Sequence, residues 1–214
     1  MLQARGGDLG LASFSSLAQS VSFTSQGSSF RLNDKHPELE PIGKGRSAYA
    51  FKIKETNLVI KVFFPSFESV AKEEADVYKV LGQNPYYPSL YDSGDRYLVI
   101  DYISGDTLFD CLVKGIEIRD EYIHEIQQAL LYARKQGLNP ADIHLKNIIL
   151  TKDKSIKMID VARFRQHQKC RRWLDLKKAY TKIYKKWFFP NKTPEFVLNL
   201  IAFFYKRRLI PSFR

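Results

Sequence analysis

Three side chains within residues 140–164 could together handle a proton and a metal ion: Asp142, Asn147 and Asp160. Asp142 and Asn147 stand five positions apart, just before a short apolar run at 148–150. Asp160 closes a second run at 156–159, and a Lys-Asp-Lys-Ser stretch separates the two. Two apolar runs about a polar turn predict a small β-hairpin. Such a hairpin would carry all three side chains to one rim. One carboxylate there can take a proton from an attacking hydroxyl. An amide oxygen and a second carboxylate are the hard oxygen donors that suit Mg2+.

The elements upstream that must position this rim carry their own signals. Residues 42–51, Ile-Gly-Lys-Gly-Arg-Ser-Ala-Tyr-Ala-Phe, hold Gly43 and Gly45 in a predicted turn between strands, where no Cβ would keep backbone amides away from a phosphate. The apolar strand predicted at 58–63 carries Lys61 in its middle. A lysine in such a place is costly to bury unless it meets a carboxylate or an anion. A helix is predicted from about Ser66 to Gly82, with Val70, Val77, Val80 and Leu81 at helical spacing.

In order along the chain, these signals resemble the protein-kinase-like superfamily: a glycine loop, a strand lysine, a helix acid, D-x-x-x-x-N and a late Asp. The resemblance covers about residues 40–176. It implies an α+β, bilobal fold, with an antiparallel amino-terminal sheet plus one helix and a shortened helical carboxy-terminal lobe. It implies ATP and Mg2+ as cofactors of a serine/threonine kinase. Asp142 would be the base, Asn147 and Asp160 the metal ligands, and Lys61 the phosphate clamp with Glu74 as its helix carboxylate. Ile42, Gly43 and Gly45 would cover the phosphates, and the backbone of Asp101 and Ile103 would meet the adenine edge. The pattern departs from ordinary protein kinases in two places. Pro140-Ala141 stands where His-Arg would precede the catalytic Asp, and Val161-Ala162 where Phe-Gly would follow the metal Asp. With His144 two residues past Asp142, this favours an atypical, minimal type similar to the RIO-like and lipopolysaccharide-kinase-like groups, in which Asp175 would buttress the catalytic loop.

The 214 residues suffice for a real core, and 44% apolar with 27% charged residues is an ordinary globular composition. Cys111 and Cys170 form no pattern and suit a reducing cytoplasm. From Arg163 onward there are 15 Lys and Arg against two acids, a net of +13, while the first 162 residues carry 19 against 21, a net of −2. That tail could attract nucleic acid, anionic lipid or an acidic protein. The apolar stretch at 196–205 is too short to span a bilayer, which takes about 20 residues, and the start of the chain does not read as a signal peptide.

The expected organisation is a flexible Ser/Gly-rich extension over 1–33, an amino-terminal lobe over 34–104 and a shortened carboxy-terminal lobe over 105–214. Within the first segment, Val21 and Phe23 alternate with polar residues as an edge strand would. The best helix is predicted at 119–136, with His124 on its surface. Trp173, Trp187, Phe188 and Phe189 are expected in the core, and Thr193-Pro194 is expected to start a helix with Thr as its cap. The expected acceptor is a protein Ser or Thr hydroxyl. The alternatives are a small-molecule or sugar kinase, and a non-catalytic ATP-binding scaffold whose basic tail docks an acidic or nucleic-acid partner.

Overall fold

The computed structural model describes residues 13–27, 29–166 and 171–207. Cys170 lies outside them, as do residues 1–12 of the expected extension and 208–214 of the basic tail. The chain divides into two compact units, one of residues up to Lys72 with Leu90–Tyr102, the other of Glu73–Ser89 with residues from Ile103 on.

The first unit begins with α1 (Phe14–Gln19), which starts where the Ser13 hydroxyl accepts the Ser16 N–H at 3.1 Å. A two-stranded hairpin follows, β1 (Ser22–Gln26) with β2 (Ser29–Asp34). Then come β3 (Leu39–Lys44), β4 (Ala48–Ile53) and β5 (Leu58–Phe63), the helix α2 (Glu68–Leu81), and β6 (Leu90–Gly94) with β7 (Tyr97–Asp101). These five strands make one antiparallel sheet in the order β3-β4-β5-β7-β6. α2 begins after a single 3-10 turn opened by Pro65, and its residues from Glu73 on belong to the second unit.

Side chains alternate across a strand, so register decides what each face carries. Phe51, Ile60 and Val99 are paired across β4, β5 and β7 and lie in one buried cluster with Leu17, Ala18 and Val21. Ala50, Lys61 and Leu98 are paired one step along and therefore occupy the other face. The described part of the expected flexible extension is thus an ordered cover on the sheet. Its six-residue helix is too short to show a period, but Leu17, Ala18 and Val21 bury enough apolar surface to hold it.

In the second unit, β8 (Gly105–Thr107) leads into α3 (Leu108–Lys114), which starts in a reciprocal cap between Thr107 and Asp110. α4 (Asp120–Lys135) buries Tyr122, Ile126, Ala129, Leu130 and Ala133 and ends at Gly137, whose φ is +78°. β9 (Ile148–Thr151) and β10 (Ile156–Met158) form the expected hairpin, and β8 adds to it as a third strand. A Cβ on Gly105 would stand 2.2 Å from the Leu150 carbonyl oxygen, so this close approach of β8 to β9 requires glycine. Residues 73–89 group here because Tyr87 Oη donates to the Ala129 carbonyl at 3.0 Å and the Met158 N–H donates to the Tyr86 carbonyl at 2.8 Å.

The unit continues with α5 (Arg172–Ala179), a single π-helical turn at Tyr180–Tyr184, and α6 (Glu195–Lys206). Trp173 is buried as expected, but Trp187 is 95% and Phe188 59% exposed, so these two are not core. Thr193 does not cap α6 either. Pro194 holds the cap position without a side-chain hydrogen bond, while Thr193 is buried and its N–H donates to the Leu112 carbonyl.

Leu17 is 1% exposed. Leu17→Ala should lower unfolding stability by about 2–5 kcal/mol. Denaturant titration checks this, and an unchanged midpoint would mean that the amino-terminal cover contributes nothing.

Candidate active site

Three tethers in the second unit gather the loop at 139–147 and the segment that follows β10. The Ile159 N–H donates to the Asn147 carbonyl at 2.9 Å, and the Asn139 N–H donates to the Phe164 carbonyl at 2.7 Å. The third is ionic, from Arg163 Nε to Asp142 at 3.4 Å. Buried Val161 and Phe164 anchor the second segment, with Phe164 edge-on to Tyr87. Asp142, Asn147 and Asp160 therefore belong to two stretches tied to each other at both ends. Asn147 is buried, Asp142 half-buried and Asp160 exposed.

Backbone conformation marks the two aspartates out. Four described non-glycine residues have positive φ. Glu55 and Lys154 sit in hairpin turns, where such values are routine. Asp142 and Asp160, both at φ +59°, are not in hairpins. A residue so held costs on the order of 1 kcal/mol or more and persists only where its surroundings enforce it, often at functional sites.

Asp142 also accepts ion pairs from both Arg163 and Arg172. Neither arginine is legible as a site residue in the sequence, because nothing in their spacing from Asp142 indicates that they meet its carboxylate. Asp175, expected to buttress the loop, is buried and accepts a hydrogen bond from Tyr205 of α6 at 2.7 Å.

Glu74 is fully buried in the part of α2 that belongs to the second unit. One helical turn on stands Tyr78, buried and missed by sequence reasoning. The only available signal was its place four residues after Glu74 on an apolar helix side. Burial pushes the Tyr78 phenol well above its ordinary range, and the negative charges of Glu74 and Asp160 push it further. The Asp160 backbone N–H opposes these effects without reaching full hydrogen-bond geometry. The Tyr78 phenol therefore feels both Glu74 and Asp160.

The remaining candidates fall mainly in the first unit. Gly43 ends the β3 bulge, Ile42 lies exposed within it, and the Gly45 N–H donates to the Ala48 carbonyl at 2.8 Å to close the β3–β4 turn. Neither glycine has positive φ, and a Cβ on Gly43 would meet nothing within 4 Å. Neither strain nor internal crowding therefore calls for glycine at position 43. Lys61 is half-buried, with its amine 5.1 Å from the Phe63 ring centroid. Asp101 closes β7 and accepts the Tyr91 hydroxyl at 2.8 Å, while the Tyr102 N–H donates to the Asn57 carbonyl. Ile103 opens the second unit's long segment.

Among the described residues, no group of three or more His, Cys, Asp or Glu converges on a point that could hold a metal. Asn147 and Asp160 nonetheless fit Mg2+, which is commonly held by one or two protein oxygens and completed by substrate phosphates and water. Cys111 is a buried free thiol pushed up to about 11, chiefly by burial, and so is chemically quiet.

No family model matches the chain. It is 45% identical over 193 residues to "Putative serine/threonine-protein kinase YrzF" of Bacillus subtilis, covering 89% of this chain and 90% of that protein. It is 29% identical over 153 residues to "Probable serine/threonine-protein kinase SCO3848" of Streptomyces coelicolor, covering 61% of this chain and 22% of that protein. It is also 28% identical over 138 residues to Aurora kinase A-A of Xenopus laevis, covering 56% of this chain and 34% of that protein. With the first relative matched over nearly its whole length, the chain belongs to the protein-kinase-like superfamily.

Proposed function

We infer that the chain transfers the γ-phosphoryl group of ATP to a serine or threonine hydroxyl of a protein. The observation that carries this reading is the tethered pair of stretches bearing Asp142, Asn147 and Asp160, with both aspartates in the left-handed backbone region. In the transfer, a bond forms between the acceptor oxygen and the γ-phosphorus, and the bond from that phosphorus to the β–γ bridging oxygen breaks. Asp142 takes the acceptor proton, and ADP leaves. Arg163 and Arg172 hold the Asp142 carboxylate in position through their ion pairs.

Asn147 and Asp160 would hold Mg2+, which neutralises phosphate charge when bound. Lys61 serves as the phosphate clamp and Glu74 as its carboxylate. Gly43, Gly45 and Ile42 cover the phosphates, and the open space at Gly43 supports an approach by ligand. The backbone of Asp101 and Ile103 reads the adenine edge. The departures at Pro140-Ala141 and Val161-Ala162 support an atypical kinase of minimal type, not controlled by an arginine before the catalytic Asp. An ATP donor and the free Cys111 thiol suit the cytoplasm. His144, at a position where small-molecule phosphotransferases often carry His, favours transfer to a small molecule as the second reading. Labelled ATP supplied with protein and metabolite extracts separates the two by where the label ends.

Asp142→Asn should lower phosphotransfer by about 10²–10⁴-fold, the usual contribution of a positioned base. Asp160→Ala should abolish the Mg2+-dependent reaction, and turnover unchanged in either variant contradicts the assignment.

Tyr78 gives a prediction in pH. Its phenol stays protonated in the folded protein well past pH 10, where an unfolded tyrosine ionises. Above that value the unfolded chain binds fewer protons than the folded one, so stability falls as pH rises. Tyr78→Phe should therefore lose less Tm than the parent between pH 8 and roughly pH 11, as read by thermal scans. Equal losses would contradict the buried placement beside Asp160.

A further inference from the structure

α6 is attached to the rest of its unit through one side. Leu198 is buried and Tyr205, two turns later, donates to Asp175. At 100° per residue, Phe203, Phe196, Leu200, Phe204 and Ile201 cover a roughly 160° arc of the remaining surface. All five are exposed, Phe196 at 72% and Leu200 and Ile201 at 50% each. The chain just before α6 adds Trp187 and Phe188, the first almost wholly in solvent. Contiguous exposed apolar surface of this kind marks an interaction site.

Positive charges outnumber negative ones around it, although Glu195 opens α6 and Glu117, Asp120 and Glu121 line a cleft with Trp187. Lys182 and Lys186 precede Trp187, Lys192 precedes α6, and Arg207 caps its end, all exposed. The two acids after Arg163 are Asp175, buried under Tyr205, and Glu195. Aromatic and aliphatic residues on one helix side, with bases at its ends and no acid on its apolar arc, match a helix that lies in a lipid interface. Twelve residues rise about 18 Å, and no described helix is long and apolar enough to cross a bilayer.

We propose that α6 with the Trp187-Phe188 segment is a docking surface for an anionic lipid bilayer. The apolar arc enters the headgroup–acyl boundary, and the lysines and arginine face the phosphates. Single-stranded nucleic acid would use exposed aromatics for stacking and lysines for its backbone. It gives Leu200 and Ile201 nothing to do, and Arg207, stacked on the Phe203 ring at 4.2 Å, lies at the end of the arc and not along it. A second copy of the chain would bring an equally basic surface against this one. A negative bilayer complements both the apolar arc and the charge. This surface is independent of the proposed phosphotransfer, because none of its residues belongs to the candidate active site.

Flotation of the full chain with vesicles tests it, using phosphatidylcholine alone and phosphatidylcholine mixed with phosphatidylglycerol. Binding should require the anionic lipid, weaken with salt, and fall about tenfold or more in F196S/L200S. K182E/K186E should weaken it too and leave the residual binding less sensitive to salt. Trp187→Ser provides a second apolar variant at a position with almost no packing to lose, should the double variant unfold. Three results would overturn the proposal: no binding to either vesicle, binding that all three variants leave intact, or a dimer dissolved by F196S/L200S without lipid. Binding of single-stranded RNA in place of vesicles would also overturn it.

Discussion

Two aspartates that must hold left-handed backbone are the constraint around which the second unit is built. Asp142 and Asp160 each occupy a conformation that an L-residue adopts at some cost, so neighbouring structure has to enforce it. The hairpin of β9 and β10 fixes the distance along the chain between them. The Ile159–Asn147 hydrogen bond closes that hairpin at its open end, and the two arginines on Asp142 close it from the side. Further out, Gly105 permits a third strand to approach, and Tyr87 ties the hairpin's partner segment to α4. Each layer is an ordinary packing or hydrogen-bonding device, and together they present three oxygen-bearing side chains on short, well-anchored stretches.

What was legible in the sequence follows from period. β5 with its interior lysine, α4 with its continuous apolar side, and the hairpin with its polar turn each repeat for long enough to be read. α1 spans six residues and β1 five, too few for a period to emerge from a Ser-rich background, so the amino-terminal cover read as a flexible extension. Asp142, Asn147 and Asp160 could be singled out as candidates from their types and their spacing about the hairpin. Arg163, Arg172 and Tyr78 could not, because their place depends on how a loop and a helix fold back. Trp187 and Phe188 failed differently. Aromatic type suggests burial on average, but burial belongs to the folded surface around a residue, and nothing local in the sequence fixes that.

Charge divides the chain along the same lines. The first 162 residues are nearly neutral and hold every residue assigned to catalysis, while the strongly basic part begins at Arg163. Two of its arginines, Arg163 and Arg172, pair with Asp142, while Lys182, Lys186, Lys192 and Arg207 are exposed. The same basic run therefore meets the candidate base at its start and forms outer surface further along.

The central claim is that Asn147 and Asp160 hold the metal that accompanies ATP. Replacing Mg2+ with paramagnetic Mn2+ and recording side-chain and backbone NMR spectra with ATP tests it directly. The account predicts that signals of Asn147, Asp160 and their immediate neighbours broaden beyond detection, while those of α6 do not change. Broadening centred elsewhere, or none at these two residues, would contradict it.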